Sequence, residues 1–285
     1  MPSVSIKGAQ IHYGVTGAGE PLLLIPGLGR TCQMWEQVAP ELAESFSLIM
    51  PDNRGMGRSV GRRAPRVLAD LAVDLIELLD ALQLDRAHVL GISLGGMIAQ
   101  WLAVEHPARV DKLVLVSTAH RSAPYLREMG TLIGHALRYF PRAVFDRMVE
   151  VLGSSPAFID ANPEWVGARI GAPQQQEPQK VRLGRSTIAR QLMCLASSDG
   201  MQVDYRIEVP TLVMVGDQDA LIPPCYGREI AQLIPRSEFL TLPCCGHNPF
   251  IEAPELAVPA IVEFLNRRDP HVSIGKVAVV GEKHA

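Results

Sequence analysis

The chain has 285 residues, of which 47% are hydrophobic and 20% are charged. This apolar content excludes a disordered chain and is enough for a large core, so we expect one large domain, or one domain with an insertion. The 27 Lys and Arg residues against 30 Asp and Glu residues give a net charge of −3, which lacks the positive field that nucleic-acid binding needs.

No membrane partner is expected. The longest nearly apolar stretch, Val89 to Val104, contains Ser93 and Gln100 and is shorter than the roughly 20 residues of a spanning helix. Residues 1–10 alternate apolar with polar residues and lack the apolar block of a secretion signal, so we expect the mature protein to start here.

The cysteines also bear on location and on metal binding. Five cysteines form an odd set without the spacing of a disulfide framework, which favours reduced thiols and a cytoplasmic protein. Cys244, Cys245 and His247 lie close together in the sequence. Because no second pair of ligands accompanies them, we predict no metal site.

The first 117 residues alternate short β-type runs with helical ones, a pattern typical of a parallel sheet covered on both faces by helices. The clearest helix spans residues 67–82, where leucines at three- and four-residue steps make one apolar stripe. A second helix is predicted from Leu94 to Glu105. The predicted strands are an opening hairpin, Val4 to Ile6 and Ile11 to Val15, followed by Leu22 to Ile25, Ser47 to Met50, Val89 to Ile92 and Leu113 to Val116.

The alternation stops after Thr118. Residues 119–206 have a mostly helical pattern interrupted by prolines, and the polar stretch from Pro173 to Lys180 divides them as a loop would. We interpret this region as a helical cap that is inserted into a core made of residues 1–118 and 207–267.

The pattern of the core resumes after the cap. Strands are predicted at Thr211 to Val215 and Glu238 to Leu242, with helices at Gly227 to Leu233 and Pro254 to Asn266. The tail, residues 268–285, stands outside this scheme. We expect it to be poorly ordered, with an added edge strand or a contact to a partner as the alternatives.

The segment Gly91-Ile92-Ser93-Leu94-Gly95 joins a predicted strand to a predicted helix. A serine at such a sharp turn is exposed at a helix N-terminus, where free N–H groups favour developing negative charge. Glycines are needed on either side because a Cβ there would collide with neighbouring chains. A tight turn of small residues without chemistry is the alternative, but the position between strand and helix favours Ser93 as a nucleophile.

A serine hydroxyl needs a base, and in enzymes with this kind of turn the acid and then the histidine follow the serine along the chain. Of the eight histidines, only His247 lies in a loop just after a late strand, so it is the predicted general base. The acid is expected in the loop after the preceding strand, where Asp217 and Asp219 are candidates. We prefer Asp219, because the apolar residues after it would bury its side chain. Asp217 is then expected to bond to local backbone.

Negative charge on a substrate oxygen requires backbone donors. One is expected from the N–H of Leu94, the residue after the nucleophile, and the other from the loop after the strand Leu22 to Ile25. In Pro26-Gly27-Leu28-Gly29 the glycines allow close approach of the backbone, so Leu28 N–H is the predicted donor, with a plain tight turn as the alternative.

Two arginines near these loops could recognise a carboxylate. Arg30 lies beside the predicted oxyanion loop and Arg54 lies in the next loop. The interpretation that we prefer for Arg54 is that it braces its turn together with Asp52.

Together these motifs resemble the α/β-hydrolase superfamily over residues 10 to 267. The resemblance rests on Ile25 to Gly29, Asp52 to Ser59, Gly91 to Met97, Gly216 to Asp219, and Gly246-His247. It implies a mostly parallel central sheet with helices on both faces and an inserted helical cap. Within the superfamily the chain is most similar to the capped carboxylesterases and the branch like 3-oxoadipate enol-lactonase. Members often have His-Gly where this chain has Pro26-Gly27, a change that removes a bracing side chain but keeps the backbone donors.

The resemblance implies hydrolysis of an ester, a lactone or a thioester of a small, partly hydrophobic substrate through an acyl-enzyme on Ser93, without metal or organic cofactor. One alternative is a non-hydrolytic enzyme with the same residues: a perhydrolase (haloperoxidase), a hydroxynitrile lyase or an acyltransferase. Another is a ligand-binding sensor, which the intact set of Ser93, Asp219 and His247 argues against. Dehalogenases and many epoxide hydrolases of this superfamily have aspartate at the position of Ser93, so the serine argues against those two activities. The expected partner is therefore a small-molecule substrate, and the sequence leaves open whether the chain forms a homo-oligomer.

Overall fold

The computed structural model describes residues 2–61, 65–167, 185–196, 206–267 and 278–279. In this part of the chain, ten strands form one sheet. The strands are β1 (Ser3–Ile6), β2 (Ala9–Thr16), β3 (Glu20–Ile25), β4 (Phe46–Pro51), β5 (Val60–Gly61), β6 (Ala87–Ile92), β7 (Val110–Val116), β8 (Thr211–Gly216), β9 (Ser237–Leu242) and β10 (Ala278–Val279).

Helices follow most of the strands. Short 3₁₀ turns lie at Cys32–Trp35 and Pro107–Arg109. The α-helices are α1 (Ala39–Leu42), α2 (Leu68–Ala81), α3 (Leu94–Glu105), α4 (Pro124–Tyr139), α5 (Arg142–Leu152), α6 (Pro156–Ala161), α7 (Arg185–Ala196), α8 (Pro224–Leu233), α9 (Pro249–Glu252) and α10 (Pro254–Asn266).

The strand order is β1-β2-β4-β3-β6-β7-β8-β9-β10, with β5 beside β2. From β4 onward in this order every neighbouring pair is parallel, whereas β2 is antiparallel to its neighbours β1, β4 and β5. The predicted mostly parallel sheet is therefore confirmed. Parallel strands place their carboxyl ends at one edge of the sheet, where ligands of such folds bind.

The sheet is buried on both faces. Successive side chains of a strand point to opposite faces, and in β3 Leu23 and Ile25 join one apolar cluster whereas Leu22 and Leu24 join the other. Helices α2, α3 and α8 cover the first face, and α10 covers the second. Each fully buried leucine or isoleucine of this strand stabilises the fold by about 1.5–3 kcal/mol.

The helices largely confirm the predicted pattern. Helix α3 has the predicted bounds and α2 lies inside the predicted range. Helix α8 begins at Pro224 rather than at Gly227, because proline is well tolerated in the first turn of a helix. The short elements β5 and α9 were not predicted.

The structure describes only part of the predicted cap region, so the prediction can be compared with it only there. Helices α4 to α7 lie within residues 119–206, whereas the predicted loop from Pro173 to Lys180 falls outside the described residues. In the tail, Ala278–Val279 pairs with β9 at the edge of the sheet. This pairing agrees with the alternative expectation, an added edge strand. Within the described ranges, no helix combines the length and the apolar character that a membrane span requires.

Candidate active site

Ser93 lies at the turn between β6 and α3 in a strained backbone conformation. Its φ of 55° and ψ of −120° are rarely adopted by a residue with a side chain. Two hydrogen bonds to the end of β7 hold it there: Ser93 N donates to Val116 O at 2.9 Å, and the Thr118 hydroxyl donates to Ser93 O at 2.7 Å. The neighbouring strand therefore fixes the direction in which the serine hydroxyl leaves the backbone.

Glycines allow this turn to pack, as the sequence predicts. A Cβ at Gly91 would lie 2.2 Å from Gly95 O, and a Cβ at Gly95 would lie 2.1 Å from Ile25 O. Both distances are far below van der Waals contact, and both partners are backbone atoms that cannot move aside. The close approach of α3 to the end of β3 brings the serine next to the loop that follows β3.

Asp219 follows β8 and is buried, with a side chain that has no exposed surface. Its Oδ1 accepts hydrogen bonds from the backbone N–H groups of Leu221 and Ile222, both at 2.9 Å. Its Oδ2 lies 2.8 Å from Nδ1 of His247. Because a carboxylate only accepts, this bond places the imidazole proton on Nδ1 and leaves Nε2 as the basic nitrogen.

Asp217, the other candidate acid, has a different partner. Its Oδ1 accepts a hydrogen bond from Cys245 N at 3.2 Å. The bond reaches the loop after β9, 28 residues away, so the expectation of a bond to local backbone was wrong. Asp217 joins the two loops that carry Asp219 and His247.

His247 lies in the loop after β9, and its side chain is 12% exposed. Its backbone N–H donates to the carbonyl oxygen of Gly153, at the end of α5, at 3.1 Å. Strands β6, β7, β8 and β9 are successive neighbours in the sheet, with Ile92 opposite Val116 and Gly216 opposite Leu242. The loops that carry Ser93, Asp219 and His247 therefore leave the same edge of the sheet.

Glu252 holds the histidine loop, and the sequence analysis missed it. Its Oε2 accepts hydrogen bonds from Gly246 N at 2.9 Å and from Ser155 N at 2.8 Å, and its Oε1 accepts one from Asn248 N at 3.3 Å. One carboxylate thus binds the residues on both sides of His247 together with the start of α6. The signal in the sequence was an acidic residue five positions after the histidine, directly after the apolar Phe250 and Ile251.

The loop after β3 lies against the serine. A Cβ at Gly27 would lie 3.5 Å from Ser93 Cβ, so the backbone next to Leu28 passes beside the predicted nucleophile. The Asn53 side-chain amide donates to Pro26 O at 3.3 Å and so holds the start of this loop. The N–H of Leu94 belongs to the first turn of α3, where backbone donors have no partner within the helix.

Helices α4, α5 and α7 place apolar side chains next to this loop. Leu28 packs against both an apolar cluster of the sheet and a second cluster formed by Ala136, Leu137, Phe145 and Ile188. Gly29, whose φ of 69° is left-handed, donates its N–H to Gln191 Oε1 at 2.9 Å. Arg30 forms an ion pair with Glu150 at 3.3 Å, so this arginine ties the loop to α5.

Arg54 makes a two-pronged pair with the buried carboxylate of Asp74 on α2, with Nε to Oδ2 at 2.7 Å and a second bond from Nη2 to Oδ1. The expectation that Arg54 braces its turn together with Asp52 was therefore wrong. Asp52 holds that turn through backbone N–H groups instead, those of Cys32 at 2.8 Å and Arg58 at 2.9 Å.

Among the residues that the structure describes, one group of three has metal-binding atoms within 4.8 Å of one another: His12, Cys32 and Asp52. All three are buried, and burial with the nearby Asp52 raises the pKa of the Cys32 thiol to about 12. A thiol must lose its proton before it binds a metal ion. Both oxygens of Asp52 already accept backbone hydrogen bonds, so this carboxylate stabilises the turn that follows β4.

Comparisons with known proteins show what this chain is similar to. A family model described as the alpha/beta hydrolase fold matches residues 20–254. A protein of Azorhizobium caulinodans with the provisional name carbamate hydrolase RutD is 28% identical over 278 residues, covering 94% of this chain and 100% of the relative. The 3-oxoadipate enol-lactonase 2 of Acinetobacter baylyi is 28% identical over 274 residues, covering 93% and 97%. The solved structure of a hydrolase from Pseudomonas aeruginosa has a TM-score of 0.79 at 30% identity, covering 93% and 98% of the two chains.

Proposed function

The chain belongs to the α/β-hydrolase family, and from this premise we propose that it is a serine hydrolase that cleaves an ester, a lactone or a thioester through an acyl-enzyme on Ser93. The observation that carries the proposal is the 2.8 Å bond between His247 Nδ1 and Oδ2 of the fully buried Asp219. Such a pair orients an imidazole and stabilises its protonated form, which is what a serine nucleophile requires of its base.

In the first step, His247 Nε2 takes the proton from Ser93 Oγ while Oγ bonds to the substrate carbonyl carbon. The carbonyl oxygen becomes an oxyanion, and the N–H groups of Leu28 and Leu94 donate hydrogen bonds to it. Asp219 stabilises the imidazolium that forms. When the tetrahedral intermediate collapses, His247 gives its proton to the leaving oxygen or sulfur, and the acyl group stays on Ser93.

In the second step, His247 takes a proton from water, whose oxygen attacks the acyl carbon. The same donors stabilise the second oxyanion. Collapse breaks the bond to Ser93 Oγ, which recovers its proton from His247, and the carboxylic acid is released. Protons balance over the cycle, and the scheme uses only the residues of this chain and water.

The cap favours a partly hydrophobic acyl group or alcohol. Apolar side chains of α4, α5 and α7 pack against Leu28, whose N–H is a proposed oxyanion donor, and an apolar roof limits the access of bulk water while Ser93 attacks the substrate. The named relative that acts on an enol-lactone is consistent with a lactone among the substrates.

Labelling with a fluorophosphonate tests the proposal, because the reagent modifies only an activated serine. We expect one adduct per chain on the peptide that contains Ser93, together with loss of turnover of short p-nitrophenyl esters. Ser93→Ala should abolish both. Ser117→Ala is the matched control, since Ser117 also lies at a strand end with a φ of 46° and its buried hydroxyl has no hydrogen-bond partner among the described residues. Unchanged labelling of Ser93→Ala would refute the nucleophile.

A further inference from the structure

The turn between α5 and α6 lies directly against the loop that carries His247. The backbone N–H of His247 donates to Gly153 O at 3.1 Å, and the Ser155 hydroxyl donates to Cys244 O at 2.9 Å. A Cβ at Gly246 would lie 2.6 Å from Ser155 N, so a side chain there would force the two segments apart. The bond from Ser155 to Cys244 spans 89 residues, so this contact is a product of the fold and not of local sequence.

Ser155 is fully buried and makes three hydrogen bonds. Its N–H donates to Glu252 Oε2 at 2.8 Å, and its hydroxyl oxygen accepts from Phe158 N at 3.0 Å. The single hydroxyl proton goes to Cys244 O, because a carbonyl oxygen can only accept. Water cannot replace a bond that is lost at a buried position. Ser155 therefore joins the start of α6 to the histidine loop at Cys244 and, through Glu252, at the residues beside His247.

The bond to Cys244 holds a backbone that needs support. Cys244 has a φ of 53°, in the left-handed region that residues with a side chain rarely adopt. Such a conformation persists where the surroundings fix it. The side chain of Cys244 is exposed, whereas its carbonyl oxygen is held by Ser155. The direction in which the chain runs to His247, three residues later, depends on this carbonyl.

The sheet holds a different part of the same loop. Asp217 Oδ1 accepts from Cys245 N at 3.2 Å, and Gln218 N donates to Cys245 O at 2.9 Å. The backbone N–H of His247, by contrast, is bonded to Gly153 at the end of α5. The position of the imidazole therefore depends on the α5–α6 turn as well as on the sheet.

We propose that Ser155 is a positioning residue for the general base: its bonds to Cys244 O and Glu252 hold the histidine loop so that His247 Nε2 reaches Ser93. This inference rests on the proposed function, and it adds that the reaction requires the α5–α6 turn to be in place. A misplacement of about 1 Å can cost about 10²-fold in rate. The effect falls on kcat, because Ser155 acts through the histidine and not through substrate binding.

The test removes the hydroxyl of Ser155 in two ways. Ser155→Ala should lower kcat for a short p-nitrophenyl ester by about 10-fold or more, leave KM within about twofold, and slow fluorophosphonate labelling of Ser93 by a similar factor to kcat. Ser155→Gly should cause the same losses. Glycine is accepted nearly as well as serine in front of a helix, so this variant keeps the start of α6 and still loses the bond to Cys244 O.

Ser237→Ala is the matched control. The Ser237 hydroxyl also donates to a backbone carbonyl, that of Ala231 at 2.7 Å. It lies at the start of β9, whereas the histidine loop follows the end of that strand. The control therefore makes the same substitution and breaks the same kind of bond at the opposite edge of the sheet, and its kcat should change by less than about twofold.

Proton NMR of the free protein distinguishes positioning from a general loss of stability. In the intact protein, the His247 Nδ1 proton that faces Asp219 should give a low-field signal that exchanges slowly with water, because this bond is short and its acceptor is fully buried. The signal should broaden or disappear in both Ser155 variants and persist in Ser237→Ala. Its absence from the intact protein would contradict the bond to Asp219 and overturn the inference.

The remaining outcomes decide between the inference and the proposed function. If kcat of both Ser155 variants stays within about twofold of the intact value, Ser155 does not position the base. A loss that falls on KM, or a loss of kcat with an unchanged low-field signal, would also overturn the inference. Each of these results leaves the proposed function intact as long as Ser93 of the intact protein is labelled. Failure of the intact protein to turn over any ester, with Ser93 unlabelled, would instead overturn the proposed function.

Discussion

An Asp219→Asn substitution removes the charge of the proposed acid and leaves its volume almost unchanged. The side-chain oxygen Oδ1 accepts two backbone N–H groups at 2.9 Å, whereas Oδ2 has the single partner His247. An asparagine has one oxygen and one NH₂ group for these two positions. Keeping the oxygen on the two backbone donors retains both bonds, so NH₂ will face the histidine.

The opposite orientation is disfavoured, because it would leave two buried N–H groups facing another donor, at about 1–3 kcal/mol each. With NH₂ opposite Nδ1, the imidazole must carry its proton on Nε2 and can no longer accept one from Ser93. In a serine protease with this arrangement, the same exchange lowers kcat by about 10⁴-fold, which is about 5 kcal/mol of transition-state stabilisation. We expect a loss of this size here, with the folded state preserved.

The assay is kcat for a short p-nitrophenyl ester, with circular dichroism to confirm that the variant is folded. Asp217→Asn is the matched control. Its Oδ1 accepts one bond, from Cys245 N at 3.2 Å, which an asparagine oxygen can also accept, so kcat should change by less than about threefold. A larger loss for Asp217→Asn than for Asp219→Asn would refute the assignment of the acid.

Three further predictions concern the surroundings of the site. Gly95→Ala places a Cβ 2.1 Å from a backbone oxygen, and it should lower the free energy of unfolding, measured by urea denaturation, by about 3 kcal/mol or more. A Cβ at Gly130 has nothing within 4 Å, so the control variant Gly130→Ala should not destabilise the protein. Glu252→Gln should lower kcat by about 10- to 100-fold with little change in KM, because the histidine loop loses its anchor; an unchanged kcat would contradict that role. In Ellman titration, only the exposed Cys225 and Cys244 should react before unfolding, and reaction of more than two thiols would contradict the burial of the others.

The parts of the fold that depend on local pattern could be predicted from the sequence. The leucine stripe of α2 and the glycines around Ser93 express short-range rules, a helical period and a steric limit, so both were correctly interpreted. The preference for Asp219 over Asp217 rested on the apolar residues after it, and the structure buries that side chain. Its role as the catalytic acid stays a prediction.

The contacts that join α6 and α7 to the loops of the sheet could not be predicted in this way. Glu252 binds Ser155 across 97 residues, and Gln191 binds Gly29 across 162 residues. In both cases the partner is a backbone N–H group, which every residue except proline carries, so no residue type marks it in the sequence. Arg54 was assigned to the acid nearest to it in the sequence, Asp52, whereas its partner Asp74 lies 20 residues away on α2.

A crystal structure of the protein after reaction with a fluorophosphonate tests the central claim most directly. We expect phosphorus bonded to Ser93 Oγ, His247 Nε2 within hydrogen-bond distance of the oxygens at that centre, and the phosphoryl oxygen about 2.7–3.1 Å from the N–H groups of Leu28 and Leu94. An adduct on another residue, or an imidazole that faces away from the adduct, would contradict the proposed acyl-enzyme mechanism.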